Sequence, residues 1–343
     1  MIFFSFPSES NLGRQAKGAN KLREKPNKNI FFLPFRPTFR NFAAEIGKMM
    51  AETEMEFRTR VDLPRLSRPL SAGDESVFLG SCFAEHIGAR FASYGLPTLY
   101  NPVGTLYNPL SIWQVVSRAV GLRSAVGSEL PLFEHDGQWY CWLANTKLKA
   151  DSREGCAELM SSALRRLAEA LSRARYLFIT LGTNVCYRLQ ESGQPVTNCH
   201  RQPDRLFREE ALSVSQCAET LLRVVEAVTA LNADIRVLLS VSPYRYRKYT
   251  FHGSQLAKST LLLAVDEVCR RRAEVCTYLP IYEIFVDELR DYRFYAADML
   301  HPSEVAVDYV WQRFVAACTD ASFQAYLRQQ EPVRRALAHR SND

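Results

Sequence analysis

Four short runs of almost unbroken apolar residues recur along this chain, and each ends abruptly in a turn-forming residue. Ser76-Val-Phe-Leu runs to Gly80, and Tyr176-Leu-Phe-Ile-Thr-Leu runs to Gly182. Ile235-Arg-Val-Leu-Leu-Ser-Val stops at Ser242-Pro243, and Val275-Cys-Thr-Tyr-Leu is shorter. Runs of this length without polar alternation suit strands buried on both faces. Between them lie longer stretches with helical periodicity, at about 82–94, 109–120, 153–173, 210–231 and 254–273, then 303–317 and 321–329. Buried strands alternating with helices specify an α/β chain, a three-layer α/β/α sandwich with a mostly parallel central sheet. Residues 131–145 alternate aromatics and are expected to form a hairpin.

The 343 residues suffice for one large α/β domain. The net charge of +6 is concentrated at the start, where residues 1–54 hold nine Lys/Arg against five Asp/Glu. This basic, Asn-, Pro- and Phe-rich segment has no clean periodicity and is expected to be a disordered tail or an upstream mis-start, with Met55 as the natural beginning. The domain proper is expected over 55–330, followed by a tail over 331–343. That body is nearly neutral and lacks a basic stripe with interleaved aromatics, so no nucleic-acid partner is expected. No apolar run reaches the ~20 residues of a membrane helix, so no membrane partner is expected either. Nine cysteines, an odd number without a CxxC pair, fit buried thiols in the reducing cytoplasm. No metal or cofactor is expected. The oligomeric state is not specified.

In doubly wound sheets, reactive groups sit beyond the carboxyl ends of strands. That rule selects Ser81, which follows the first strand and opens a helix. Its hydroxyl is expected to be exposed at a helix N-terminus, where developing negative charge is favoured; an N-cap role is the alternative. Cys82 beside it is a competing nucleophile, since helix N-termini favour thiolates. Gly182-Thr-Asn184 closes another strand, and the Asn184 amide is a candidate oxyanion donor. Asn101-Pro-Val-Gly104 offers a further backbone N–H at Gly104. Asp298-Met-Leu-His301-Pro302 places a carboxylate three residues before an imidazole, where it can accept the Nδ1 proton and leave Nε2 as a base.

Nucleophile, oxyanion donors and base occur here in the order of the four sequence blocks of the SGNH, or GDSL-type, hydrolases, which the chain resembles. Gly80-Ser81-Cys82-Phe83-Ala84 resembles more specifically the signature of the GSCFA family, related to them. Thr197-Asn-Cys-His200, Ser242-Pro243 and Leu289-Arg-Asp-Tyr-Arg-Phe-Tyr295 extend the likeness over roughly 55–330. The chain departs from the GDSL pattern in having no Asp between Gly80 and Ser81, and Val185 after Asn184. The resemblance implies an SGNH-hydrolase, flavodoxin-like sheet. It implies Ser81 as nucleophile, His301 as base, Asp298 as orienter, and an oxyanion hole of the Ser81 and Gly104 N–H groups with the Asn184 amide. The implied activity is hydrolysis of a small acyl ester such as an O-acetylated sugar, the small-molecule substrate being the only partner expected. A non-catalytic carbohydrate- or protein-binding module, or an acyltransferase, are the alternatives. Asn198, His200, Arg245 and Arg293 are further candidates to line the pocket, the two arginines for a substrate anion.

Overall fold

In this computed structural model residues 58–121 and 129–340 are described. The chain separates into two units, Met1–Glu56 and Phe57–Asp343. The expectation for residues 1–54 lies outside the described residues. Within the second unit, five parallel strands form the central sheet: β1 (Ser76–Gly80), β2 (Thr98–Tyr100), β6 (Tyr176–Leu181), β10 (Arg236–Val241) and β11 (Cys276–Tyr278). Their spatial order is β11-β10-β6-β1-β2. Counting only these strands, the order is 2-1-3-4-5, the doubly wound arrangement whose direction reverses between the first and third strands. Ligand crevices open beyond the carboxyl ends of strands at that reversal, here between β1 and β6.

The strands earn their places by two-sided burial. Val77 and Leu79 on β1 enter one core, shared with α2 (Pro109–Gly121), α3 (Arg153–Arg173), α4 (Val214–Leu231) and α5 (Thr250–Arg271). Phe78, between them, points to the opposite face, as period-2 geometry requires. That second core is aromatic and lies under α1 (Cys82–Ser93), α6 (Glu304–Cys318) and α7 (Ala321–Arg340). Phe91 on α1 sits at its centre, with ring centroids 4.8 Å from Phe78 and 5.2 Å from Trp311. The three-layer α/β/α sandwich read from the sequence is the architecture found.

The hairpin expected over 131–145 forms as β3 (Leu132–His135) and β4 (Gln138–Cys141), joined by a third strand β5 (Lys149–Ala150). A second antiparallel sheet was not anticipated: β8 (Pro195–Val196), β7 (Val185–Leu189) and β9 (Phe207–Ala211) pair in that order. β9 corrects the helix expected from residue 210. The helix starts only at Val214, because the Ser213 hydroxyl accepts the Gln216 N–H and the Gln216 side chain reaches back to the Ser213 N–H. Such a reciprocal box fixes a helix start more firmly than the propensity of Glu209-Glu210-Ala211. At the other end, α7 runs on to Arg340 through Pro332, where a tail was expected after 330. Glu331 holds that continuation by accepting from Tyr94, the residue after α1, and from Arg334 and Arg335 one turn on. All nine cysteines are free thiols. Among the described residues, no helix is long and apolar enough to cross a membrane.

Candidate active site

Ser81 stands at the reversal point, between the end of β1 and the first turn of α1. The turn is built from Gly80, whose φ of +136° is a conformation side-chain-bearing residues rarely adopt. The Asn101 side chain grips this peptide from both sides: its Oδ1 accepts the Gly80 N–H at 2.9 Å and its Nδ2 donates to the Gly80 carbonyl at 3.2 Å. Asn101 was read as part of a turn; its side chain also holds the Gly80–Ser81 corner. Ser81 is 1% exposed, and its hydroxyl neither caps α1 nor meets any described partner. A buried hydroxyl without a partner costs free energy that an N-cap would have recovered, so helix capping does not account for this serine. The exposure expected of the hydroxyl is corrected to burial under the surrounding turns.

His301 and Asp298 are paired as the sequence suggests. His301 Nδ1 lies 2.5 Å from Asp298 Oδ2, and Asp298 Oδ1 accepts the N–H groups of Leu300 and His301, each at 2.9 Å. The His301 side chain, with the two backbone N–H groups, holds the Asp298 carboxyl at about 2. That carboxylate fixes the proton on Nδ1 and leaves Nε2 with its lone pair. The His301 ring is 43% exposed and lies 4.2 Å from the Tyr244 ring. The loop after β10 is also tied to this segment through its backbone, Arg245 N–H donating to Leu300 O at 3.1 Å.

Tyr244, on the loop after β10, packs against the His301 ring. Burial raises its phenol, and Tyr246, Cys82 and Asp298 add to the shift in that order. It therefore lies within electrostatic reach of both the α1 start and the Asp298–His301 pair. No hydrogen bond joins Ser81 Oγ to His301.

The oxyanion donors differ from expectation. Ser81 N–H donates to Thr180 O at 2.9 Å, continuing the β1–β6 ladder, and Gly104 N–H donates to Asn101 O at 2.8 Å. Both N–H groups assigned to the hole are thus engaged within the fold. Asn184 is buried and spends one amide proton on Leu212 O at 2.7 Å, which leaves the second.

Cys82 is half-buried. Burial pushes its thiol up, outweighing the Phe83 N–H and the Lys258 charge that pull it down. The thiolate needed for a cysteine nucleophile is therefore disfavoured here. Lys258 itself, on α5, is a group the sequence did not single out. It is fully buried and donates to Gly182 O at 2.6 Å, holding the turn that carries Asn184. Burial and the Arg245 charge lower its amine to about 7, against the Cys82 thiol. An isolated lysine inside an apolar helix pattern gives no sequence signal; only the fold reveals its acceptor.

The other candidates separate. His200 is enclosed by Phe133, Tyr140 and Trp142, with Nε2 3.0 Å from Cys141 O and Nδ1 without a partner. It is a core residue of the β3–β4 hairpin packing rather than a second base. Asn198 Oδ1 accepts the His200 N–H at 2.7 Å and shapes that turn. Arg293 pairs with Asp291 at 3.2 Å on the surface, while Arg245 lines a cavity. Among the described residues, no group of three or more acidic, His or Cys side chains is placed to hold a metal ion.

Enclosure gives His200 a measurable signature. Burial lowers its imidazole from 6.5 to about 4, so the unfolded chain binds the proton first as pH falls. The stabilisation is fully present above pH 6.5 and is lost progressively down to about pH 4. Urea unfolding at pH 7 and pH 5 should show the wild type losing about 2 kcal/mol more than His200→Gln over this interval. Equal losses in the two proteins would remove the argument for a buried neutral imidazole.

The sequence matches the GSCFA family over residues 75–314, more than half of the chain. The chain belongs to this family. The matched region of this GSCFA protein begins one residue before β1 and ends within α6, so it contains the Ser81 corner, the Asn184 turn and the Asp298–His301 pair. No curated protein is similar enough to match it.

Proposed function

We propose that this GSCFA protein is a serine hydrolase of SGNH kinship that cleaves a small acyl ester. The observation that carries this reading is the Asp298–His301 pair, whose 2.5 Å contact leaves Nε2 as a base, with the His301 ring packed 4.2 Å from Tyr244. His301 Nε2 takes the Ser81 proton as Oγ attacks the ester carbonyl. The amide proton of Asn184 that Leu212 O does not take is the donor offered to the oxygen that becomes negative. Collapse expels the alcohol, protonated by His301, and leaves an acyl-enzyme. Water, deprotonated by the same Nε2, then releases the acid. An alcohol in place of water would make the same site an acyltransferase.

Because Ser81 is covered and the His301 ring half exposed, substrate binding must draw the 296–303 segment and the β1 corner together. Catalytic contacts often tighten only in the substrate complex. Nine thiols without a disulfide support the cytoplasm as the setting, and an O-acetylated sugar is the substrate class to screen first. No metal, cofactor, nucleic acid or membrane enters the scheme.

The engagement of the Ser81 and Gly104 N–H groups favours a second reading, a binding module for a carbohydrate or protein on the same fold. Treatment with a fluorophosphonate and mapping of the adduct by peptide mass spectrometry separates the two. The hydrolase reading expects the adduct on Ser81, lost in Ser81→Ala and retained in Cys82→Ala. An adduct on Cys82 would transfer the chemistry to the thiol, and an unlabelled native protein would leave the binding module.

A further inference from the structure

A cavity of about 570 Å³ opens beside the His301 loop, lined by Phe251, Phe285, Leu289 and Tyr295 with Arg245 and Met299. That size falls within the range of small-molecule sites. Its walls belong to the site's own supports. Arg245 donates its N–H to Leu300 O at 3.1 Å, and the residue after Tyr295, Ala296, donates to His301 O at 2.8 Å.

The charged side chains of this cavity are not equivalent. Arg290 is paired with Asp287 at 3.3 Å, and Asp291 with Arg293 at 3.2 Å. Arg245 has no carboxylate partner among the described residues. Its Nη1 instead donates to Gln255 Oε1 at 3.0 Å and to the Tyr282 hydroxyl at 3.3 Å. Neutral acceptors fix a guanidinium without neutralising it. The opposite edge of the fork, Nε with Nη2, is left for a bidentate oxyanion. Phe251 lies 5.9 Å from the guanidinium carbon, so the charge borders apolar surface.

We infer that this cavity binds the non-reacting part of the substrate, an apolar body about the size of an aromatic ring ending in one oxyanion, with Arg245 as the anion's partner. The inference rests on the hydrolase reading for the word substrate, but the cavity and its ligand chemistry are tested without turnover. The anion is a carboxylate or a phosphate, and the geometry accepts either.

Calorimetric titration of the full chain with 4-phenylbutyrate, 4-phenylbutyramide and phenethyl phosphate decides the matter. The wild type should bind at least one of the two anions about tenfold or more tightly than the isosteric amide, as a charge-assisted hydrogen bond requires. The tighter anion names the source. Arg245→Gln should reduce that preference to about threefold or less. Arg245 is half-buried near the protein surface, and an unchanged thermal midpoint would certify the variant's fold. Equal binding of anion and amide by the wild type, no binding of any of the three, or a preference that survives in Arg245→Gln would each overturn the inference. The wild-type comparison needs no variant, so a misfolded Arg245→Gln leaves the decision intact. Fluorophosphonate labelling of the same preparations keeps the two claims apart. Ser81 labelled without anion preference sinks the cavity assignment alone. Anion preference with Ser81 unlabelled sinks the hydrolase reading and leaves a binding site.

Discussion

Gly80→Ala should unfold this protein or leave it without a soluble yield. An alanine Cβ at this position would stand 2.2 Å from the Thr180 carbonyl oxygen and 2.9 Å from the Thr180 carbonyl carbon and nitrogen. The obstacle is main chain in the neighbouring central strand, held in register with β10 on its other side, so no side-chain rotation relieves it. The φ of +136° adds backbone strain to the clash. The oxygen in question also accepts the Ser81 N–H at 2.9 Å, and any shift that makes room breaks that bond and the Asn101 clamp together. The expected cost is about 4 kcal/mol or more, the range reserved for backbone conflicts and buried steric clashes. Urea unfolding of whatever soluble material is recovered measures it. A midpoint within about 1 kcal/mol of wild type would mean the corner is far more pliant than its contacts indicate. Gly73, whose added Cβ would meet nothing within 4 Å, is the matched control.

The same corner shows what a sequence of this kind discloses and what it withholds. β1, β6 and β10 were legible because strands buried on both faces carry no polar residue pattern that a helix could share. The β7–β8–β9 sheet was not, because Phe207-Arg-Glu-Glu-Ala alternates weakly and its acidic pair favours helix in isolation. Only the pairing of Val185–Leu189 with Phe207–Ala211 makes it a strand. The start of α4 was in fact written in the sequence, as Ser213 with Gln216 three residues on, a capping signal stronger than the propensity that misplaced it. The end of α7 was hidden, since Pro332 argues for a stop and the contacts that override it come from Tyr94, more than two hundred residues away.

For the site, residue types were readable and hydrogen-bond destinations were not. Asp298 and His301 are three residues apart, so their pairing is a local event that spacing can anticipate. Whether a backbone N–H is free to face an oxyanion depends on which carbonyl the fold brings opposite it. Thr180 takes the Ser81 N–H, and Asn101 takes the Gly104 N–H. The Thr180 partner is invisible without the sheet order, whereas the Asn101 carbonyl lies three residues before Gly104 and belongs to the turn itself. Lys258 belongs to the same class, because its single acceptor, Gly182 O, lies 76 residues away in the chain. His200 shows the converse error, in which a residue type associated with catalysis is placed by aromatic packing instead.

The second large effect concerns the orientation of the base. Asp298→Asn should slow fluorophosphonate labelling of Ser81 by about 10³-fold while leaving the fold intact, comparable to His301→Gln, since general-base catalysis contributes 10²–10⁴-fold. The asparagine Oδ1 can still accept the N–H groups of Leu300 and His301, so the turn survives. Its Nδ2, now standing where Oδ2 was, presents a proton to His301 Nδ1. The imidazole must then carry its own proton on Nε2, the tautomer that cannot accept one from a hydroxyl. Asp298→Ala differs in kind: it also removes the acceptor of the Leu300 and His301 N–H groups, and should lower the thermal midpoint along with the rate. Since the wild-type carboxyl is held at about 2, its protonation produces no limb in the labelling rate above about pH 4, whereas the asparagine defect persists at every pH. Labelling rates measured from pH 5 to 9 with unchanged circular dichroism give the answer. A rate within threefold of wild type would mean that Asp298 serves the turn and not the base, leaving His301 without the fixed tautomer on which the hydrolase reading depends.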